Sequence, residues 1–301
     1  MSMIKVAGAP ISWGVCEVPG WGRMLPPELV LSQMSELGLT ATELGPPAYL
    51  PEDPAVLRET LGGHRLTLVG GFLAVVLHDA SRTEETLREA EHSAKVLAAG
   101  GAEVLVLAAA TGLDGYDERP QLTDGEWSTL VSTCAAIREV AAGHGLSTVL
   151  HPHVGTHVER GAEVERFLAD SDLPLCLDTG HLLIGGTDPV ELAKRHAARI
   201  SHVHLKDVRA EIADEVRSGR LGYAEAVAQG MYVPLGDGDV EVAAIVRFLH
   251  EAGYGGWYVL EQDTALAEDG TEGDAAPDSS AKPLRDTARS IAYLDTVVRD
   301  L

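Results

Sequence analysis

Two kinds of hydrophobic pattern alternate along the whole chain. Short runs rich in aliphatic and β-branched residues are typical of β-strands. Eight such runs cover residues 4–12, 39–45, 66–74, 102–110, 146–153, 173–180, 200–208 and 257–263. Between most of them lie segments with helical apolar spacing, such as PPELVLSQMSELG and TEETLREAEHSAKVLAAGG, and several end in glycine, as helix C-termini prefer. The pattern therefore predicts strands and helices in regular alternation.

This alternation favours one α/β architecture. Continuous apolar strands separated by helices are typical of parallel strands that are buried on both faces. Eight βα units in 301 residues match the size of a (β/α)8 TIM barrel, so we expect a single barrel domain over residues 1–301. A doubly wound open sheet is the rival, but no GxGxxG or Walker-type glycine loop follows any of the strands.

Two segments depart from the regular pattern. Residues 206–242 form a long, partly helical excursion after the seventh predicted strand, which we expect to cover the barrel mouth. Residues 266–283 follow the eighth strand and are acidic and rich in Gly, Pro and Ser, which predicts a flexible loop.

The charge of the chain narrows the class of ligand. Lys and Arg number 23 against 46 Asp and Glu, so the formal net charge is -23. Such a field repels nucleic acid and anionic membrane surfaces. A neutral polyol or keto-sugar fits better, and a bound divalent cation would reverse the sign of the field locally.

The cysteines and the apolar runs indicate the compartment. Cys16, Cys134 and Cys176 are an odd number without CxxC spacing, so neither a disulfide framework nor a thiolate zinc site is indicated. No apolar run has the length of a signal peptide or of a membrane span. We therefore expect a soluble protein of the reducing cytoplasm.

Candidate chemistry lies where the last four predicted strands end, which is where catalytic groups of TIM barrels are found. The residues there are His151 and His153, Asp178 and His181, His202, His204 and Lys206, and Glu261. Alternate residues of a strand share a face, so only one histidine of each strand need reach an ion. The predicted ligands are His151, Asp178, His204 and Glu261. Imidazoles and carboxylates without a thiolate suit Mn²⁺, Co²⁺, Fe²⁺ or Zn²⁺.

Other polar and aromatic positions leave alternatives open. Trp13, in APISWG, is either a wall on which a sugar stacks or a large apolar plug. Glu43, at the end of the second strand, is either a substrate hydrogen-bonder or a partner of a barrel lysine or arginine. His202 is a candidate substrate contact, and His157 and Glu159 are predicted to lie in a solvated loop or at a helix start. DTGH at 178–181 could by itself be a turn.

Several motifs together resemble one family. LDTGHLLIGGTDP, RISHVHLKDVR, VPLGDGDVEV and GGWYVLEQD, with APISWG near the start and HPHVGT in the middle, are similar to the inosose dehydratases among the xylose isomerase-like TIM barrels. The resemblance implies removal of water from 2-keto-myo-inositol, a step of inositol catabolism, with Mn²⁺ or Co²⁺; Zn²⁺, Fe²⁺ and Mg²⁺ are further options. By analogy with the family the protein would be a homo-oligomer.

The resemblance also implies a mechanism. Glu261 is the candidate base for the α-proton of the ketone, and His153, His181 and Lys206 are the candidate acids for the departing hydroxyl. An unligated histidine that performs both steps is the alternative, because a carboxylate bound to an ion is a weaker base. Related epimerases place a glutamate where this chain has His151, so a two-glutamate proton shuttle is disfavoured and dehydration is favoured. A ketose or inosose epimerase/isomerase on the same metal and a non-catalytic polyol-binding barrel remain the alternatives.

Overall fold

The computed structural model describes residues 4–267 and 280–301, and its centre is a closed barrel of eight parallel strands. In chain order the strands are β1 (Lys5–Gly8), β2 (Ala41–Glu43), β3 (Thr67–Val76), β4 (Val104–Ala110), β5 (Ser147–Leu150), β6 (Leu175–Asp178), β7 (Ile200–Leu205), β8 (Asp207–Val208), β9 (Tyr232–Val233) and β10 (Trp257–Leu260). All except β8 and β9 form the barrel, in the order β1-β10-β7-β6-β5-β4-β3-β2, with β2 pairing back to β1. The predicted (β/α)8 barrel is confirmed.

Helices follow the barrel strands as the pattern predicts. They are α1 (Pro27–Glu36), α2 (Pro54–Gly63), α3 (Thr83–Gly100), α4 (Asp124–Gly143), α5 (Gly161–Asp170), α6 (Thr179–Ile184), α7 (Pro189–His196), α8 (Ala210–Arg217), α9 (Tyr223–Ala228), α10 (Val242–Glu251) and α11 (Ala281–Arg299). Their ends follow local chemistry: Thr123 and Glu126 form a reciprocal capping box at the start of α4, and α3 ends at Gly101 with φ +89°. Within residues 4–267 and 280–301, none of the helices combines the length and hydrophobicity that crossing a membrane requires.

The alternation of side chains along each strand separates the outside of the barrel from its inside. In β7, Val203 and Leu205 pack outward into the large hydrophobic cluster shared with the helices. The alternate residues His202 and His204 point into the barrel. The same alternation directs Asp178 inward from β6. Small residues fill the remaining interior, in clusters that comprise Ala7, Ala9, Ala41, Val69 and Val259, and Val104, Val106, Val149 and Cys176.

The register of the barrel decides which inward residues become neighbours. The pairing of β6 with β7 sets Cys176 beside His202 and Asp178 beside His204. On the other side of β7, the N–H of Glu261 donates to Leu205 O at 3.1 Å. Residues from three strands thus reach the same end of the barrel.

The excursion over 206–242 contains β8, α8, α9 and β9, and β8 pairs with β9 as an antiparallel hairpin that the sequence pattern did not predict. The backbone N–H of Tyr223 donates to Asp117 Oδ1 at 3.0 Å, which ties the excursion to the loop after β4. The rings of Trp21, Tyr116 and Tyr223 contact one another, with centroids 4.8–6.1 Å apart. Three loops therefore pack together above the barrel. Most of the predicted loop over 266–283 lies outside the described residues.

Candidate active site

A cavity of about 240 Å³ opens where the barrel strands end. Trp21, Phe72 and Tyr116 form an aromatic part of its wall. Its ionisable side chains include Glu43, His151, His153, His204, Lys206, Glu261 and Asp263. A small cavity with one apolar side and many polar groups suits a compact polar ligand that has both a ring face and hydroxyl groups.

Within this site the structure brings together the four residues that were predicted to hold an ion. His151 Nε2 lies 3.1 Å from Asp178 Oδ2. His204 Nδ1 lies 3.6 Å from the same oxygen and 3.2 Å from Glu261 Oε2. All four side chains are buried or nearly so. They therefore form one continuous chain of contacts from β5 through β6 and β7 to the end of β10.

The donor set fits a divalent cation. One donor atom each from Asp178, His204 and Glu261 lie within 4.8 Å of one another. His204 donates from Nε2 to Glu43 Oε1 at 3.1 Å, and its buried Nδ1 faces Asp178 and Glu261 without an aligned hydrogen bond to either carboxylate. A carboxylate that holds one nitrogen of an imidazole leaves the other free for a metal. Two imidazoles with two carboxylates match Mn²⁺, Co²⁺, Fe²⁺ or Zn²⁺.

Glu43 has imidazole partners rather than the lysine or arginine that was one of its predicted alternatives. His202 donates from Nε2 to Glu43 Oε1 at 2.7 Å, and His204 contacts the same oxygen. Burial opposes ionisation of Glu43, but the charges and hydrogen bonds of the two imidazoles outweigh it and hold its pKa below the ordinary value. His202 is wholly buried and lies outside the cavity lining, so its contact is Glu43 and not the space available to a ligand.

Trp13 occupies the interior as a plug, the second of its two predicted roles. It is fully buried, and its indole N–H donates to Gln33 Oε1 at 2.7 Å. Trp21 lines the cavity instead, and its indole N–H donates to Thr264 O at 2.9 Å. The sequence offered no signal to separate the two tryptophans, because both follow the first strand.

The DTGH segment at the end of β6 is more than a turn. Asp178 Oδ1 accepts the N–H of His181 at 2.8 Å, which starts α6. Thr179 Oγ1 accepts the N–H of Lys206 at 2.8 Å and lies 2.6 Å from Lys206 O. A Cβ on Gly180 would lie only 2.7 Å from Lys206 Cβ, so glycine leaves room for the lysine stem. Three consecutive residues thereby position one lysine.

The Lys206 ammonium lies among three carboxylates. Its Nζ is 2.5 Å from Asp263 Oδ1, 3.1 Å from Glu261 Oε2 and 3.6 Å from Asp178 Oδ2. Burial disfavours the charged form, but these carboxylates, Asp263 foremost, raise the pKa of Lys206 well above its ordinary value. Asp263 was missed by the sequence analysis; its position two residues after Glu261, on the same side of an extended chain, is the signal that could have found it.

The two histidines proposed as acids are held in the neutral form. The rings of His153 and His181 lie with centroids 3.7 Å apart. Burial, followed by the charge of a neighbouring histidine, lowers the pKa of each well below its ordinary value. His153 donates from Nδ1 to Val154 O at 2.7 Å and lines the cavity, whereas His181 accepts the N–H of Val154 on Nδ1 at 3.3 Å.

Of the two alternatives predicted for His157 and Glu159, the solvated loop is wrong. Both are more than nine-tenths buried, because the loop after β5 folds back and the N–H of His157 donates to Ala109 O of β4 at 2.9 Å. Glu159 Oε2 accepts the N–H of Gly155 at 2.7 Å and lies 3.0 Å from Arg119 Nε. The two polar residues therefore hold the loop after β5 against β4 and Arg119.

Comparison with known proteins gives a consistent result. The family model described as xylose isomerase-like TIM barrel matches residues 31–291. The inosose dehydratase of Geobacillus kaustophilus (strain HTA426) is 37% identical over 276 residues, which cover 87% of this chain and 89% of that protein. The inosose dehydratase of Erwinia tasmaniensis is 35% identical over 277 residues, covering 88% and 92%.

Solved structures show the same fold at lower identity. The probable 3-DHS dehydratase AsbF from Bacillus anthracis superposes with a TM-score of 0.70 at 18% identity, covering 96% of this chain and 99% of that one. The IolI protein with a bound zinc atom superposes with a TM-score of 0.69 at 15% identity, covering 99% of both chains. L-ribulose 3-epimerase has a TM-score of 0.70 at 18% identity, covering 99% and 95%.

Proposed function

We propose a specific reaction from the premise that this chain belongs to the inosose dehydratase family of the xylose isomerase-like TIM barrels. It is an enzyme of the carbon–oxygen lyase class. The proposed reaction is metal-dependent dehydration of a keto-inositol such as 2-keto-myo-inositol. The observation that carries the proposal is the buried chain of contacts from His151 through Asp178 and His204 to Glu261, beside the Lys206 ammonium.

The proposed ligands of the ion are His151, Asp178, His204 and Glu261. The chemistry supplied by a bound divalent ion is polarisation of the substrate ketone, which makes the α-proton more acidic. The proposed ion is Mn²⁺ or Co²⁺. The donor set also allows Zn²⁺, Fe²⁺ or Mg²⁺. Trp21, Phe72 and Tyr116 form an aromatic wall of the cavity. The role proposed for this wall is to pack against the cyclohexane ring of the substrate and exclude water from it.

Glu261 is the proposed base that takes the α-proton. It lines the cavity, and His204 and Lys206 hold its pKa below the ordinary value against the opposing effect of burial, so it is ionised. His153 is the second candidate, since it is neutral, lines the cavity and leaves its Nε2 lone pair available when Nδ1 donates to Val154 O. A carboxylate that also binds an ion is a weaker base than a free one, so both are tested below.

Lys206 is the proposed acid for the departing β-hydroxyl. Of the three candidates, Lys206 is the one in the cationic form that can donate a proton. Burial keeps His153 and His181 neutral. Lys206 also lines the cavity. The α-proton passes to the base, the enolate electron pair forms the carbon–carbon double bond, and the hydroxyl leaves as water with the proton from Lys206.

The experiment is turnover of 2-keto-myo-inositol in D₂O by metal-stripped protein that has been reloaded ion by ion. Dehydration yields a dione that absorbs in the ultraviolet, and deuterium incorporation into recovered substrate reports α-proton exchange separately. Lys206→Met is expected to lose at least about 100-fold in dehydration while α-exchange continues, since the acid is gone but His204 remains beside the base Glu261. Glu261→Gln is expected to lose both, and His153→Gln to retain both within about tenfold.

The outcomes separate the alternatives. A loss of α-exchange in His153→Gln at full metal occupancy would assign the base to His153. Deuterated sugar without loss of water would assign an epimerase or isomerase on the same site. A protein that binds the ion and the inosose but performs neither step would be a polyol-binding barrel, and the proposed function would be wrong.

A further inference from the structure

We propose that Asp263 and Tyr223 are positioning residues that draw the Lys206 ammonium toward Asp263, so that it does not pair fully with the ion-binding carboxylates Asp178 and Glu261. The inference rests on the proposed function only in taking those two carboxylates as ligands. It assigns to Asp263 and Tyr223 a role in setting how tightly the site binds a cation.

The need for such a device follows from charge. Three buried carboxylates, Asp178, Glu261 and Asp263, share one ammonium. An ammonium that paired fully with Asp178 and Glu261 would occupy the space of a divalent ion and repel it, since like charges in a buried site interact strongly. The structure places Lys206 Nζ nearest to Asp263, at 2.5 Å, and farther from Glu261, at 3.1 Å, and from Asp178, at 3.6 Å.

Asp263 is in turn held on its other oxygen. Tyr223 donates its hydroxyl to Asp263 Oδ2 at 2.6 Å, and the hydroxyl groups of Tyr223 and Tyr232 lie 2.8 Å apart. The carboxylate therefore has Lys206 on Oδ1 and Tyr223 on Oδ2. A carboxylate engaged on both oxygens cannot turn toward an ion without breaking a charge-assisted hydrogen bond.

The backbone and Cβ of Lys206 are also held in place. Its backbone N–H donates to Thr179 Oγ1 at 2.8 Å, and its Cβ packs where a side chain on Gly180 would otherwise be. Tyr223 belongs to α9 of the excursion, whose backbone is tied to Asp117. The excursion after β7 thus reaches the ion site through Tyr223, Asp263 and Lys206.

The test is a double-mutant cycle on metal affinity, which needs no substrate. Metal-free wild-type protein, Asp263→Asn, Lys206→Met and the double variant are each titrated with Mn²⁺ by calorimetry. Asp263→Asn is expected to weaken Mn²⁺ binding by about tenfold or more, as loss of a supporting partner does. In the Lys206→Met background the same substitution should have a much smaller effect, because no ammonium is left to move onto the ligands.

A milder pair of variants guards against misfolding. Tyr223→Phe removes only the hydroxyl that holds Asp263 and is expected to weaken Mn²⁺ binding by about threefold, the effect of one hydrogen bond. Tyr254→Phe is the matched control: its hydroxyl donates to Trp257 O at 2.8 Å, at the first residue of β10, and its loss should leave affinity unchanged. Circular dichroism checks the fold of each.

The proposal is overturned if Asp263→Asn changes Mn²⁺ affinity by the same factor with and without Lys206, or if Tyr223→Phe matches Tyr254→Phe. A wild-type protein that binds no Mn²⁺ also overturns it. Failure of the proposed function would give a different result. The expected differences in Mn²⁺ affinity among the variants would be observed, but 2-keto-myo-inositol would not be dehydrated.

Discussion

Glu43 orients a proposed metal ligand without being one of the proposed ligands itself. One oxygen accepts hydrogen bonds from His202 at 2.7 Å and from His204 at 3.1 Å. The bond to His204 fixes the ring so that Nδ1 turns toward Asp178 and Glu261. Partners of this kind set both the tautomer and the orientation of a ligand imidazole.

Replacing Glu43 by Gln tests this orientation. The amide keeps the shape but loses the charge, so we expect Co²⁺ affinity to fall by about tenfold. Calorimetric titration of metal-free protein measures it. Glu28→Gln is the control, since Glu28 also pairs with an imidazole, His64 at 3.2 Å, but at the surface. Equal affinities for the two variants would show that His204 needs no such support.

His157 is a residue whose burial has a consequence for acid stability. Burial, followed by the charges of His78 and Arg119, lowers its pKa from 6.5 to about 4. In the unfolded chain the imidazole takes up a proton below pH 6.5, whereas in the folded protein it stays neutral down to about pH 4. The unfolded state therefore binds more protons in this window, and stability falls as the pH falls through it.

We expect His157 to account for at most about 3 kcal/mol of the stability lost between pH 6.5 and pH 4. Denaturant unfolding at several pH values measures the loss, and His157→Gln should reduce the slope in that window. His92→Gln is the control at an exposed position. If both variants keep the wild-type slope, the buried imidazole is not the cause.

At the scale of elements, the excursion after β7 is held by a buried carboxylate at its base. Asp207 Oδ2 accepts the N–H groups of Gly236 and Gly238 at 2.8 and 3.0 Å, and Oδ1 accepts those of Val208 and Val240, both at 3.0 Å. A Cβ on Gly238 would lie 2.3 Å from Asp207 Oδ1, so the loop approaches the carboxylate closely. One side chain therefore closes the turn that leads from β9 to α10.

Asp207→Asn tests this closure. An amide offers one acceptor oxygen where the carboxylate offers two, so buried N–H groups lose their partners, at a cost of about 2–4 kcal/mol in unfolding free energy. Denaturant unfolding measures this cost, and hydrogen exchange should rise over residues 234–240. Asp239→Asn is the control, because Asp239 is exposed and accepts one N–H, from Ala210. The same loss in both variants would contradict the assignment.

For the whole molecule, the net charge of -23 and the cluster of buried carboxylates act in the same direction. Both favour binding of a cation, and the binding energy of an ion that the unfolded chain does not hold adds to the stability of the fold. Exclusion of nucleic acid and membrane surfaces and the homo-oligomer remain predictions.

Saturation with Mn²⁺ is expected to raise the unfolding temperature. At about one hundred times the dissociation constant the gain is about 2.7 kcal/mol, or about 5 °C for a chain of this size. Calorimetry with and without a chelator measures the shift, which His151→Gln should largely remove. A shift of equal size in that variant would place the ion elsewhere.

The local sequence pattern alone was enough to predict the barrel and to identify the strand ends that carry the candidate catalytic residues. Apolar runs of strand length define β1 to β7 and β10, and parallel strands bring their carboxyl ends to one rim, so His151, Asp178, His204 and Glu261 could be named together. The hairpin of β8 and β9 escaped prediction because each strand has two residues, too few to show a period.

Only the tertiary structure decided the partners across the barrel. Glu43 and His202 are 159 positions apart, and Lys206 and Asp263 are 57 apart. Such contacts depend on the register of strands around a closed barrel and on how loops fold over its end. His157 is buried for the same reason, since its loop returns to β4. Periodicity reports the neighbours of a residue along the chain, and only packing determines its neighbours in space.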